Sequence, residues 1–127
     1  MTVNLNHTIV SARDKQASAK FLADILGLQV SPQFGPFAPV EIPNGVTLDY
    51  METADAVTSQ HYAFLVSEED FDAIFARIKD AGLTFWADPA HSRPGEINTN
   101  DGGRGAYFED PNGHNLEILT RPYGSGS

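Results

Sequence analysis

Cysteine is absent from this chain of 127 residues, which excludes disulfides, thiolate metal sites and cysteine nucleophiles. Any metal ion would have to be held by imidazole, carboxylate and water. No apolar run reaches the length of a membrane span, and no signal-peptide pattern opens the sequence. We therefore expect a cytoplasmic protein with no membrane partner.

Basic residues are scarce, since 8 Lys and Arg stand against 17 Asp and Glu and the formal net charge is −9. Nucleic-acid phosphates need clustered cationic side chains, so this balance argues against a nucleic-acid partner. The charge suits a cationic ligand, although solubility is the simpler interpretation. A hydrophobic fraction of 41% is that of an ordinary globular domain.

A heptapeptide occurs twice in nearly the same form, as PNGVTLD ending at Asp49 and PNGHNLE ending at Glu117. Each half of the chain also opens on a histidine, His7 in the first and His61 in the second. A duplicated unit that begins with His and ends with a carboxylate brings four potential metal ligands together if its halves pair by a pseudo-twofold. The repeat therefore predicts a metal site.

Both halves show the same order of predicted elements. Alternating apolar residues predict a first strand at 3–10 and its counterpart at 61–66. Asp14 and Ser67 are typical residues for starting the helix that follows each strand. Further strands are expected near residues 28–31, 37–42 and 46–51, and near 83–87, 105–109 and 114–120. The Asn-Gly pair in each heptapeptide predicts a two-residue hairpin turn.

These elements predict an α+β fold of two βαβββ modules, at about 3–51 and 60–120, within a single domain spanning 1–123. Residues 124–127 resemble a linker or a tag remnant. The polar stretch 88–104 departs from the repeat and is typical of a lid or binding loop, or of disorder.

Strand parity assigns the candidate ligands to faces. Because side chains alternate along a strand, His7, Asp49, His61 and Glu117 all point away from the larger apolar rows that two helices would cover. Taken singly, each has an ordinary structural explanation. Their equivalent positions in the repeat favour a shared metal site.

The segment GAYFEDPNGHNLE at 105–117 resembles the signature of the vicinal oxygen chelate superfamily, and the resemblance extends over residues 3–120. That superfamily includes glyoxalase I, type I extradiol dioxygenases, fosfomycin-resistance enzymes and bleomycin-binding proteins. The resemblance implies a cup-shaped mixed sheet with helices on its outer face, one divalent metal ion and commonly a homodimer. It implies His7, His61 and Glu117 as the metal ligands. Asp49 matches a fourth ligand of glyoxalase I but is one methylene shorter, so it is a possible fourth ligand or a base.

A His-His-Glu set leaves coordination positions open for two adjacent oxygens of a substrate, which favours a metal-dependent enzyme. Glyoxalase-type lyase or isomerase chemistry and extradiol-type dioxygenase chemistry both fit a small molecule with vicinal oxygens. The metal could be Fe, Mn, Ni, Co or Zn. The candidate acid/base residues are His91 and Tyr107, with Tyr123 as a further tyrosine.

The sequence fits the fosfomycin-resistance reaction of this superfamily less well. A fosfomycin enzyme surrounds an anionic substrate with cations, whereas here Arg93 and Arg104 alone lie nearby in sequence. The candidate substrate-binding residues are Phe37, Trp86 and Arg104. The alternative from another class is a metal-free protein that binds and sequesters a drug, as bleomycin-resistance proteins do. Ligand affinity that survives chelation would favour the binder.

Overall fold

The computed structural model describes residues 1–126 and divides into two compact units, Met1–Thr58 and Ser59–Ser127. Each unit combines one helix with one small mixed β-sheet. The predicted α+β class is therefore confirmed, and in both halves a strand and a helix precede an antiparallel pair of strands. The bounds of one domain at 1–123, with modules at 3–51 and 60–120, stay a prediction.

The first unit contains β1 (His7–Ala12), α1 (Lys15–Leu26), β2 (Phe37–Glu41) and β3 (Thr47–Glu52). The strand order is β1-β3-β2, with β1 parallel and β2 antiparallel to β3. The Asp14 carboxylate accepts a hydrogen bond from the Ala17 backbone N–H at 3.0 Å and so begins α1 as predicted.

The predicted strand near 28–31 is reduced to a single bridge between Val30 and Val40. Ser31 N still donates to the Pro39 carbonyl at 2.9 Å. Pro32 and Pro39 have no N–H to donate, so the ladder cannot continue past this point.

The second unit contains β4 (His61–Leu65), α2 (Glu68–Asp80), β5 (Phe85–Trp86), β6 (Gly105–Glu109) and β7 (Asn115–Leu119). The strand order is β4-β7-β6-β5, with β4 parallel to β7 and the other neighbours antiparallel. Ser67 Oγ accepts from Asp70 N at 3.0 Å and begins α2. Phe71, Ile74 and Ile78 form its buried stripe.

Both Pro-Asn-Gly turns span three residues, so the prediction of two-residue turns was wrong. In the first turn Ile42 N donates to Val46 O at 2.7 Å, and in the second Asp110 N donates to His114 O at 3.1 Å. The glycine ends each turn at positive φ, 95° at Gly45 and 86° at Gly113. A proline ahead of the Asn favours a type I turn, which a left-handed glycine then closes into the hairpin.

The face assignment agrees with the burial pattern in the first unit. Val10, Ala12 and Tyr50 are buried there, while His7 is exposed on the other face of the sheet. In the second unit β7 is buried on both faces, so Glu117 is buried as well as Leu116 and Ile118. No helix within the described residues is long and apolar enough to cross a membrane.

Candidate active site

His61 and Glu117 meet on neighbouring strands of the second unit. The parallel pairing of β4 with β7 sets His61 opposite Asn115 and Ala63 opposite Glu117. This register brings His61 Nε2 to 3.1 Å from Glu117 Oε1. The contact joins the two residues that the sequence placed at the start and end of the second module.

The hydrogen bond of the other ring nitrogen, Nδ1, shows that this nitrogen of His61 carries a proton. His61 Nδ1 lies 2.8 Å from the carbonyl oxygen of Asn115. A carbonyl only accepts hydrogen bonds, so Nδ1 carries the proton and donates. Nε2 faces the Glu117 carboxylate and is the ring nitrogen that would be left to coordinate a metal ion. A backbone carbonyl that holds one nitrogen so that the other is free to coordinate is the usual arrangement of a metal-ligating histidine.

Glu117 is buried at 1% exposure, and both of its oxygens have partners. Oε2 accepts a short hydrogen bond from the Tyr123 hydroxyl. Because that bond uses the only proton of Tyr123, the Tyr107 hydroxyl donates to Tyr123 across 2.8 Å. The Tyr107 ring also stacks on the His61 ring, with centroids 5.9 Å apart. We call these four residues the Glu117 cluster.

Both phenols of the Glu117 cluster are protonated at neutral pH. Burial, and next its hydrogen bond to Glu117, raises the pKa of Tyr123 far above the usual value. Burial also raises the pKa of Tyr107. Tyr123 therefore donates to the carboxylate as a neutral phenol, and Tyr107, also neutral, donates to Tyr123.

His91 stands at the edge of the cluster, on the loop after β5. Its ring lies flat against Trp86, with centroids 3.7 Å apart and planes 4° apart. His91 Nε2 lies 2.9 Å from Asn115 Oδ1, and Nδ1 lies 3.5 Å from Glu109 Oε1. Asn115 therefore contacts His91 with its side chain and His61 with its carbonyl, which links the two histidines. His91 has φ 59°, in the left-handed region that few non-glycine residues occupy.

The Asp88 carboxylate organises this loop. Its oxygens accept from Ser92 N at 3.0 and 3.1 Å, from Ser92 Oγ at 2.6 Å and from Arg93 N at 3.0 Å. These bonds favour the charged form, and the Ser92 hydroxyl makes the largest contribution to lowering the pKa of Asp88. The loop that carries His91 is thereby tied to one ionised carboxylate.

The Asp88 contacts should be lost in acid. The pKa of Asp88 is lower in the folded protein than in the unfolded chain. These hydrogen bonds therefore stabilise the fold fully above the unfolded-state pKa of about 3.9, and this stabilisation is lost as pH falls through the folded-state pKa. We expect the amide proton shifts of Ser92 and Arg93 to move sharply in that window. The Gly95 amide, which bonds the Phe85 carbonyl at 2.8 Å, should stay nearly constant. A two-dimensional NMR titration checks this, and a Ser92 amide that does not titrate would contradict it.

The structure brings together two of the three predicted metal ligands. Within residues 1–126 no group of three or more His, Asp and Glu side chains is placed to hold a metal ion. His7, in the first unit, is exposed and its Nδ1 lies 2.7 Å from Asn6 Oδ1. Asp49 is half-buried on β3, opposite Ile9 on β1 and Pro39 on β2.

The residues present fit a divalent metal on chemical grounds. His61 offers a lone pair on a nitrogen whose partner nitrogen is already fixed, and Glu117 offers an oxygen directly beside it. Imidazole and carboxylate together suit the first-row divalent ions. The donor chemistry therefore supports His61 and Glu117 as a ligand pair.

The Arg104 side chain contacts acidic residues of α2. Its Nε donates to Glu68 Oε1 and its Nη1 to Asp72 Oδ1, both at 2.7 Å, and the guanidinium covers the Phe71 ring at 4.4 Å. Arg93 is also paired, with Nη2 donating to Glu96 at 3.1 Å. Both arginines that could have met an anionic substrate are thus engaged by acidic side chains.

The other substrate-binding candidates lie in different units. Phe37 begins β2 of the first unit, where its backbone pairs with Phe34. Trp86 is in the second unit, beneath His91. The sequence did not indicate Asn115, although strand parity places it on the same face as Glu117.

Comparison with known proteins agrees with this architecture. The family model described as "Glyoxalase/Bleomycin resistance protein/Dioxygenase superfamily" matches residues 4–118. A curated relative, "Glutathione transferase FosA" from Serratia marcescens, is 34% identical over 124 residues, which cover 93% of this chain and 81% of the relative.

Two solved structures are more similar. "Oxidase ChaP-H2" is 80% identical with a TM-score of 0.98 and full coverage of both chains. "Oxidase ChaP-H1" is 63% identical with a TM-score of 0.95, covering 97% of this chain and 99% of the other. A lactoylglutathione lyase from Agrobacterium tumefaciens, at 18% identity and a TM-score of 0.71 over 94% of each chain, shares the fold alone.

Proposed function

Because this chain belongs to the Glyoxalase/Bleomycin resistance protein/Dioxygenase superfamily, we propose that it is a metal-dependent oxidase of a small organic molecule with two adjacent oxygens. The observation that carries the proposal is the orientation of His61, whose Nδ1–H is held by the Asn115 carbonyl while Nε2 faces Glu117. We propose oxidation as the reaction type because the chain is 80% identical to "Oxidase ChaP-H2".

We propose His61 and Glu117 as metal ligands from their geometry, and His7 as a third ligand from the family resemblance. Asp49 is proposed as a base or a ligand through water, since its side chain is short. A divalent metal bound to this set would act as a Lewis acid toward two adjacent substrate oxygens and allow reaction with dioxygen. Iron, manganese, cobalt, nickel and zinc all suit these donors, although zinc has no redox chemistry and would not support the oxidase reaction.

The chain's own residues supply orientation and proton donors. The Asn115 carbonyl keeps the proton of His61 on Nδ1, and the Tyr123 hydroxyl holds Oε2 of Glu117. Tyr107 is a neutral phenol stacked on His61, and it would serve as an acid toward a substrate oxygen by releasing its hydrogen bond to Tyr123. His91 is the second acid/base candidate, next to Trp86, which offers an aromatic surface.

A thiol-transfer function is the second candidate, because "Glutathione transferase FosA" is 34% identical to this chain. The anionic substrate of a fosfomycin-resistance enzyme needs cationic side chains around it. Arg93 and Arg104 are engaged by Glu96, Glu68 and Asp72, and the net charge of −9 adds no attraction for an anion. These contacts favour the oxidase over the transferase.

Metal analysis combined with oxygen uptake tests the proposal. The protein is purified anaerobically, analysed for metals, reconstituted with Fe(II) and assayed with an oxygen electrode on a panel of catechols and 2-hydroxyketones. We expect near-stoichiometric metal and substrate-dependent oxygen uptake that chelation abolishes. Bound metal with thiol consumption and no oxygen uptake would identify a transferase. No metal uptake at all, with ligand affinity unchanged by chelation, would identify the metal-free binder.

A further inference from the structure

Tyr123 reaches Glu117 from a segment that has no helix or strand of its own. It lies in residues 121–126, which follow β7 and which we call the C-terminal segment. The Ser125 hydroxyl and backbone N–H both donate to the Pro122 carbonyl, at 2.6 and 3.1 Å, and close the segment into a turn around Tyr123. Arg121 Nη2 donates to the Ser125 carbonyl at 3.2 Å.

Asp101 holds this segment in place. Asp101 Oδ1 accepts from Gly124 N at 3.1 Å and from Gly126 N at 3.3 Å. Gly126 fits closely, because a Cβ there would overlap the backbone of Asp101. Asp101 itself adopts φ 56°, in the left-handed region that Asp and Asn tolerate better than most residues. The Asp101 side chain, in the polar stretch 88–104, thus anchors the turn that carries Tyr123.

The Tyr123 hydroxyl determines which part of Glu117 remains available. Its proton goes to Oε2, so Oε1 is left beside His61 Nε2 at 3.1 Å. A carboxylate held in this way is oriented before any ligand arrives, which lowers the cost of ordering it on binding.

We infer that Asp101 and the C-terminal segment form a tether that positions the Tyr123 hydroxyl on Glu117, and so presents Glu117 Oε1 and His61 Nε2 together to a divalent cation. This inference rests on the proposed ligand role of Glu117 and His61. Tyr123 acts here as a positioning residue, since it touches the carboxylate and not the reacting atoms. The tether gives residues 124–126, which the sequence alone marked as a linker remnant, a part in the site.

Cobalt binding tests the tether independently of turnover. Co(II) affinity is measured by chelator competition, and the Co(II) absorption spectrum is recorded, for the parent chain, Tyr123→Phe and Asp101→Ala. Removing an outer partner of a metal ligand typically weakens metal binding about 10–100-fold. We expect Tyr123→Phe to fall in that range with an altered spectrum, and Asp101→Ala to change in the same direction by a smaller factor.

Two matched variants control for structure. Asp101→Asn keeps an Oδ1 acceptor and tolerates positive φ, so it should bind Co(II) within about twofold of the parent chain. Tyr62→Phe removes a different phenol of the second unit, one whose ring lies edge-on to His114, and should also leave binding within about twofold. Amide NMR spectra confirm that each variant is folded and report whether the Gly124 and Gly126 signals move in Asp101→Ala.

The possible results separate the tether from the proposed function. Parent-like Co(II) affinity and spectrum in Tyr123→Phe and Asp101→Ala, with Glu117→Gln defective, would overturn the tether alone. Movement of the Gly124 and Gly126 signals without a change in affinity would overturn it as well. Parent-like binding in Glu117→Gln, or no binding by the parent chain, would overturn the ligand assignment and the tether with it.

Discussion

Glu117→Gln should lower metal affinity by more than about 100-fold, since loss of an outer partner alone costs about 10–100-fold. The substitution keeps the size and shape of a side chain that is 1% exposed. It removes the negative charge beside His61 Nε2, and an amide oxygen is a weaker metal donor than a carboxylate oxygen. The Gln amide group can still donate to Nε2, so the fold should persist.

Elemental analysis and Co(II) titration of purified Glu117→Gln measure this effect. Glu109→Gln is the matched control, because Glu109 is a carboxylate at the end of β6 whose oxygen lies 3.5 Å from His91 Nδ1 rather than beside His61. The control should keep the metal content of the parent chain. Full metal content in Glu117→Gln would show that Glu117 is not a ligand.

Asp110→Ala should destabilise the protein by about 3 kcal/mol, since each buried donor that loses its acceptor costs about 1–3 kcal/mol. Asp110 is 6% exposed and precedes the second Pro-Asn-Gly turn. Its Oδ1 accepts from Asn112 N at 2.8 Å and His114 N at 2.9 Å, and Oδ2 accepts from Asn112 Nδ2 at 3.0 Å. Asn112 and His114 are themselves buried.

Urea unfolding of Asp110→Ala gives the change in free energy. The first turn supplies the comparison, because Ile42 stands where the second turn has Asp110 and no carboxylate caps the turn. There Asn44 Oδ1 accepts from Val46 N at 3.4 Å in an exposed position, so Asn44→Ala should cost no more than about 0.5 kcal/mol. A cost for Asp110→Ala as small as the one expected for Asn44→Ala would mean that Asp110 adds nothing to its turn.

Much of the local structure could be predicted from the sequence because local chemistry determines it. Asp14 and Ser67 begin helices through their own side-chain oxygens, which need only the next three residues. Strand alternation separated the buried face of Tyr50 and Leu116 from the face that carries His7 and Asp49. The turn length was wrong because proline changes the preferred turn type, a local effect that the Asn-Gly pair alone does not reveal.

The sequence by itself determined the repeat, the α+β fold and the pairing of a histidine with a carboxylate in the second half. The histidine and the carboxylate could be paired because strand parity puts both side chains on one face of the sheet. The parallel register of β4 with β7 then places Ala63 opposite Glu117, two residues from His61. Tertiary structure alone decided the surroundings of that pair. Tyr123 reaches Glu117, and Asp101 reaches the backbone of Gly124, through segments without sequence periodicity. Arg104 pairs with the acidic residues of α2. Such contacts depend on where loops fold back, and no spacing in the sequence encodes that.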